Sequence, residues 1–128
     1  MARPRAVAEE CLDRMEDQEQ RATIGELFAA DAVITFPGVR FEGADAPADY
    51  LEWAAPRYEW VAKNRERWRE TESTAVSIGT LYGVDGDGER FEDVRYVDVY
   101  EIEDGHITRL DVWNDLAVEG IIESEARR

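Results

Sequence analysis

A chain of 128 residues with 44% apolar and 10% aromatic side chains is long enough to build one hydrophobic core. Its net charge of −15 disfavours nucleic acid, anionic membranes and strongly anionic substrates as partners. No apolar run reaches the length of a membrane span, and MARPRAVAEE lacks the apolar segment of a secretory leader, so the expected compartment is the cytoplasm.

Pro4 to Glu16 reads as a helix with Val7, Cys11, Leu12 and Met15 on one apolar stripe. Cys11, the one cysteine, is therefore expected to pack rather than react, and it has no disulfide partner. Asp17 followed by Gln20 is a capping-box pattern that predicts a second helix bearing Ile24, Leu27 and Phe28. Asp31 to Phe36 reads as a strand stopped by Pro37-Gly38, and Arg40 to Glu42 as a brief pairing. Asp45 is placed to cap a helix that carries Tyr50, Leu51, Trp53, Tyr58, Trp60 and Val61, kinked or broken at Pro56. From Arg67 the pattern is extended, with Val76, Ile78, Thr80, Tyr82 and Val84 alternating against Ala75, Ser77, Gly79, Leu81 and Gly83. Asp85-Gly86-Asp87-Gly88 closes a hairpin; it is similar to part of a calcium loop but lacks the full ligand spacing.

The longest signal is Glu89 to Leu116, two antiparallel strands around Glu103-Asp104-Gly105. A three-residue turn with Gly105 left-handed pairs Ile102 with His106 and Asp98 with Leu110. One face then carries Val94, Tyr96, Asp98, Tyr100, Leu110, Val112 and Asn114. The other carries Arg95, Val97, Val99, Ile107, Arg109, Asp111, Trp113 and Asp115. Neither face is simply polar, so both are expected to be covered. The charged tail from Glu119 is expected to fray or form a short surface helix. Helices segregated from an antiparallel sheet make an α+β domain, expected to span 1–128 as one unit.

Asp98, between Tyr96 and Tyr100, is the leading candidate for acid–base work, because a desolvated carboxylate has a raised pKa. Tyr96, Tyr100 or Asn114 could donate to a developing oxyanion. The competing reading is a structural acid satisfied by a tyrosine or by Arg57, Arg65 or Arg90. Asp115 is a second candidate, with a structural pair to Arg95 as the alternative. One histidine and one cysteine cannot build the usual zinc site, and no phosphate loop or dinucleotide fingerprint is present, so neither metal nor cofactor is expected.

GTLYG at Gly79–Gly83, FEDVRYVDVYEIEDGHI and the DVWNDL ending resemble the nuclear transport factor 2-like (NTF2-like) superfamily, in particular its SnoaL-like branch. The resemblance implies a cone-shaped curved antiparallel sheet wrapped around N-terminal helices, the cystatin-like α+β barrel, with a deep apolar pocket. It puts the Tyr96–Asp98 face inside the cone and makes the Val97, Val99 and Trp113 face a homodimer contact. The pocket lining expected from it is Phe36, Trp53, Trp60, Ile78, Tyr82, Val94, Tyr100, Leu110 and Val112. It implies a small apolar or polyketide- or terpenoid-like ligand and cofactor-free isomerase, cyclase, dehydratase or hydrolase chemistry; a non-catalytic binding or dimerisation module is the alternative. The Arg-x-Asp pair of limonene-type epoxide hydrolases is not matched at Ile78, Thr80 and Tyr82, nor their further Asp at Val112. The ketosteroid isomerase base is not matched at Phe36. Asp115 matches the Asp of SnoaL-type cyclases, whereas His106 adjoins the hairpin turn and matches no companion histidine.

Overall fold

The computed structural model describes residues 3–122. Helix α1 (Pro4–Glu16) is followed by a 3₁₀ segment (Arg21–Leu27), strands β1 (Phe28–Phe36) and β2 (Val39–Glu42), helix α2 (Ala46–Ala54), and strands β3 (Tyr58–Glu70), β4 (Thr74–Asp85), β5 (Arg90–Glu103) and β6 (His106–Asn114). The six strands form one sheet in the order β2-β1-β6-β5-β4-β3. It is an α+β cone: the sheet curls around α1, whose Val7, Ala8, Cys11 and Leu12 are buried. The sheet is mixed rather than purely antiparallel, because β1 runs parallel to β6. The part of the tail expected to fray that follows residue 122 lies outside the described residues.

Three sequence expectations are corrected. The second helix is only a seven-residue 3₁₀ segment with no side-chain cap. Asp17 instead accepts the Glu19 amide at 2.9 Å and closes a local turn, and Phe28 is already extended. Helix α2 stops at Ala54, two residues before Pro56, which has no amide hydrogen to continue the helical ladder. Tyr58, Trp60 and Val61 therefore belong to a strand. Their apparent helical spacing hid the alternation of β3, an edge strand with Val61, Lys63 and Arg65 paired to the inward Gly83, Leu81 and Gly79 of β4.

The β5–β6 turn is also shorter than expected. Glu103 pairs with His106, and both Asp104 (φ 52°) and Gly105 (φ 77°) are left-handed, as a two-residue hairpin turn requires. A register shift at Thr108 then makes Glu101 pair with Arg109 and Asp98 with Val112. This bulge cancels the change of parity, so the inner set from Val94 to Val112 points where the alternation places it. The exception is Ile107: expected outside, it lies on the turn side of the bulge and is fully buried opposite Ile102.

The curvature of the sheet comes from Gly79 and Gly83 on the inner face of β4. A Cβ on Gly79 would lie 1.8 Å from the Asn64 carbonyl oxygen, and one on Gly83 2.2 Å from that of Trp60. Only glycine lets β3 fold this closely over β4. Gly79→Ala is expected to lower the urea unfolding free energy by about 3 kcal/mol, because backbone must move. Gly25→Ala, with open space around the added methyl, is expected to change it by less than about 1 kcal/mol.

Candidate functional site

Strand β5 carries Asp98 into the centre of the inner face, where the side chain is fully buried. The alternation Val94, Tyr96, Asp98, Tyr100 makes this unavoidable: every second residue of the strand points at α1. A carboxylate in that setting needs a cation, and Lys63 supplies it from β3, two strands away. Its ammonium Nζ donates to Asp98 Oδ2 and lies 4.9 Å from the centroid of the Tyr96 ring. The Lys63 side chain is only 14% exposed. Asp98 Oδ1 has no hydrogen-bond partner, and it is the only such buried side-chain atom among the described residues.

Burial pushes the Asp98 carboxyl above its ordinary value, and the neighbouring Lys63 charge offsets only part of that. Burial likewise pushes Tyr96 up to about 12, against the hydrogen bond it shares with Ser77 Oγ at 2.8 Å. Tyr100, fully buried beside Asp98, is raised well above the usual phenol range. Burial raises the Cys11 thiol to about 12, which suits the packing role expected of it.

Lys63 also lines a cavity of about 230 Å³ between the end of α1, helix α2 and the start of β3. Leu12, Met15, Leu51, Ala54 and Val61 form its apolar walls; Tyr50, Tyr58, Glu16, Arg21 and Glu59 add polar groups. Asp98 stands behind Lys63 and is not part of the wall. The cavity thus presents one ammonium backed by a buried carboxylate to whatever enters.

Placement of the other candidates varies. Of the nine residues expected to line the pocket, Trp60 alone reaches this cavity, at a 40% exposed position. Phe36 and Trp53 pack on each other with ring centroids 4.7 Å apart, in a cluster with Phe41 and Tyr50. Val94, Tyr100, Leu110 and Val112 are buried core beneath α1. Ile78 and Tyr82 are corrected to the outer face, because the inward set of β4 is Ala75, Ser77, Gly79, Leu81 and Gly83. Tyr82 there meets the edge of Trp60 at 6.0 Å.

Asn114 pairs with Tyr96 across the strands, but its Oδ1 accepts the Leu116 amide at 3.1 Å and ends β6. Asp115, just past the end of β6, is ion-paired to Arg95 at 2.7 Å, the structural pairing given as its alternative. His106 is exposed at the hairpin tip, its Nδ1 3.1 Å from the Asp104 carbonyl oxygen. Lys63 is the site residue the sequence reading missed, since reading Tyr58, Trp60 and Val61 as helical hid the strand that carries it. The available signal was its uniqueness as the one lysine among 15 basic residues.

Asp98 holds a proton more readily in the folded chain than in the unfolded one. The stabilisation this gives is complete below the unfolded value of 3.8 and is lost as pH rises through the raised folded value. Carbon-13 NMR of the carboxyl is expected to show a midpoint above 3.8. Lys63→Met is expected to cost about 3–5 kcal/mol at neutral pH by stranding the carboxylate. That penalty should shrink as pH falls and Asp98 takes up its proton, in urea unfolding measured at several pH values.

The fold recurs in solved structures. An NTF2-like protein of unknown function from Burkholderia pseudomallei superposes with a TM-score of 0.81 at 16% identity, over 93% of this chain and 95% of that one. A protein assigned as a SnoaL-like polyketide cyclase, from Jannaschia sp. CCS1, gives 0.79 at 16% identity, over 94% and 92%. A phenazine biosynthesis-related protein from Pseudomonas aeruginosa gives 0.72 at 16% identity, over 88% and 79%. No curated protein sequence matches the chain. At these identities the likeness establishes the fold alone. The sequence model of the SnoaL-like domain matches residues 8–110, most of the chain and every residue that lines the cavity; the protein therefore belongs to the SnoaL-like domain family.

Proposed function

We propose that the protein binds a small apolar, polyketide- or terpenoid-like molecule in the cavity at Lys63 and carries out cofactor-free acid–base chemistry on it. The observation that supports this is the Lys63–Asp98 pair at the edge of an apolar cavity. Lys63 donates a proton or hydrogen bond to an oxygen of the ligand, which stabilises negative charge developing there. Asp98 positions the ammonium and, through it, takes or returns the proton. Tyr96 holds the pair from one side by its ring, so it orients Lys63 rather than the ligand. This shifts the role first considered for Asp98 and Tyr96 one step back from the ligand. Asn114, committed to the backbone, has no part in it.

A non-catalytic binding module is the second reading, and the absence of Asp98 from the cavity wall favours it. Isomerase, cyclase and dehydratase chemistry share one step, removal of a proton beside a carbonyl. Proton NMR in deuterium oxide, with a panel of cyclic enones and β-keto esters, is expected to show exchange of those hydrogens. The exchange should fall by about 10²-fold or more in Asp98→Asn and in Lys63→Met. Thermal stabilisation by the same compounds without exchange would establish the binding module instead.

The sheet's outer face is proposed as a homodimer contact, and the chain is proposed to act in the cytoplasm as a single domain. Among the described residues no helix is long and apolar enough to cross a membrane. Trp113 is 57% exposed on the outer face with Val97 and Val99 beside it on β5, an apolar surface that a second copy would cover. Trp113→Arg is expected to convert dimers to monomers in sedimentation velocity, with the circular dichroism spectrum unchanged.

A further inference from the structure

Fifteen side chains of this protein are basic, and fourteen of them are arginine, which stays charged under all ordinary conditions. Among the described residues, the single lysine is the one basic group placed both against a fully buried carboxylate and on the wall of an apolar cavity. A guanidinium would serve as a counter-ion equally well. What lysine adds is an amine that can give up its proton and become a nucleophile. The acceptor for that proton is already in contact: Asp98, through Oδ2. Its other oxygen, Oδ1, is buried without a partner, so the carboxyl has spare capacity to hold or pass a proton. Water is restricted at this end of the site, since Asp98 is fully buried and Lys63 nearly so.

We propose that Lys63 forms a Schiff base with a small apolar aldehyde or ketone bound in the cavity, with Asp98 as the proton carrier of the condensation. This deepens the acid–base reading above and rests on it, because it needs the same cavity to admit a ligand. In the first step the ammonium proton moves to Asp98, and the freed lone pair of Nζ attacks the carbonyl carbon. A C–N bond forms, the carbonyl π electrons go to oxygen, that oxygen takes a proton from the nitrogen, and Asp98 returns its own proton to the nitrogen. In the second step the nitrogen of the resulting protonated carbinolamine passes a proton to the hydroxyl oxygen. The nitrogen lone pair then expels that group as water. The sum is one carbonyl compound and one ammonium giving one protonated imine and one water, with no oxidant or reductant consumed. Tyr96, with its ring face on the Lys63 ammonium, restricts where the amine can point.

The test uses benzaldehyde as the probe, with the whole chain at neutral pH and cyanoborohydride to reduce any imine to a stable amine. One benzyl adduct per chain is expected, and peptide mass mapping should place it on Lys63, ahead of the N-terminal amine. Lys63→Arg keeps a cation opposite Asp98 and is expected to lose the adduct with an unchanged circular dichroism spectrum. Ala55→Trp puts a large ring at a solvent-exposed position of the cavity wall, leaves Lys63 intact, and should lose it as well. Asp98→Asn is expected to slow adduct formation by about 10²-fold. An adduct confined to the N-terminal amine, or one on Lys63 that survives Ala55→Trp undiminished, overturns the proposal.

Benzyl alcohol, which lacks the carbonyl, separates the two levels of the argument in ligand-observed NMR. If it binds the wild type but not Ala55→Trp while benzaldehyde leaves no adduct on Lys63, the cavity reading stands and the Schiff base falls. If neither compound engages the cavity, both fall.

Discussion

The close approach of β3 to β4 is the constraint on which the rest depends. At Gly79 and Gly83 the carbonyl oxygens of Asn64 and Trp60 occupy the space where side chains would otherwise stand. A flat sheet would leave β3 and β5 roughly two strand spacings, about 10 Å, apart. Curling brings the inner face of β3 back over β5, and Lys63 can then reach Asp98 across the intervening strand. The same curl, with α2 on its other side, leaves the gap that becomes the cavity. Shape and electrostatics therefore have one origin, two missing side chains.

The buried pair is an expensive way to hold a fold together. Desolvating a carboxylate and an ammonium costs several kcal/mol for each, and an apolar pair of similar volume would pack as well or better. Tyr96, Tyr100, Leu12 and Ile34 already fill the surroundings with close-packed apolar surface. A charged pair kept in such a place, one member facing a cavity and the other with an oxygen left over, is not accounted for by stability alone. Exposed pairs such as Arg40 with Glu42 or Arg5 with Glu9 contribute little by comparison.

Much of the fold was legible where a strand alternates cleanly. Tyr96, Asp98 and Tyr100 could be assigned to one face from parity, the family resemblance turned that face inward, and the error in turn length was harmless because the Thr108 bulge restored that parity. Ile107, caught between turn and bulge, shows the limit: a bulge leaves no local mark in the sequence strong enough to place it. β3 was hidden for another reason. As a sheet edge it is mostly charged, and Tyr58, Trp60 and Val61 happen to fit a helical spacing, so they were assigned to a helix kinked or broken at Pro56. That one misreading removed Lys63 from the site and left Asp98 searching for an arginine. Burial of Asp98 could be foreseen from its neighbours; its partner could not, because the pairing depends on how far a sheet curls.

The parallel contact of β1 with β6 has a consequence for how the molecule comes into being. β1 sits between β2 and β6, so its second neighbour is the last strand of the chain. Phe28 meets Ile107, and Ile34 meets Leu110, across more than seventy residues. Until β6 has been synthesised, the β1–β2 hairpin has no strand to join, and α1 can pack only on the β3–β5 part of the sheet. Contacts of such separation form slowly, because the entropy of closing the intervening loop is lost before the contact rewards it. The two ends of the chain must therefore find each other before the cone exists, and an incomplete chain on the ribosome would expose the surface that the finished one buries.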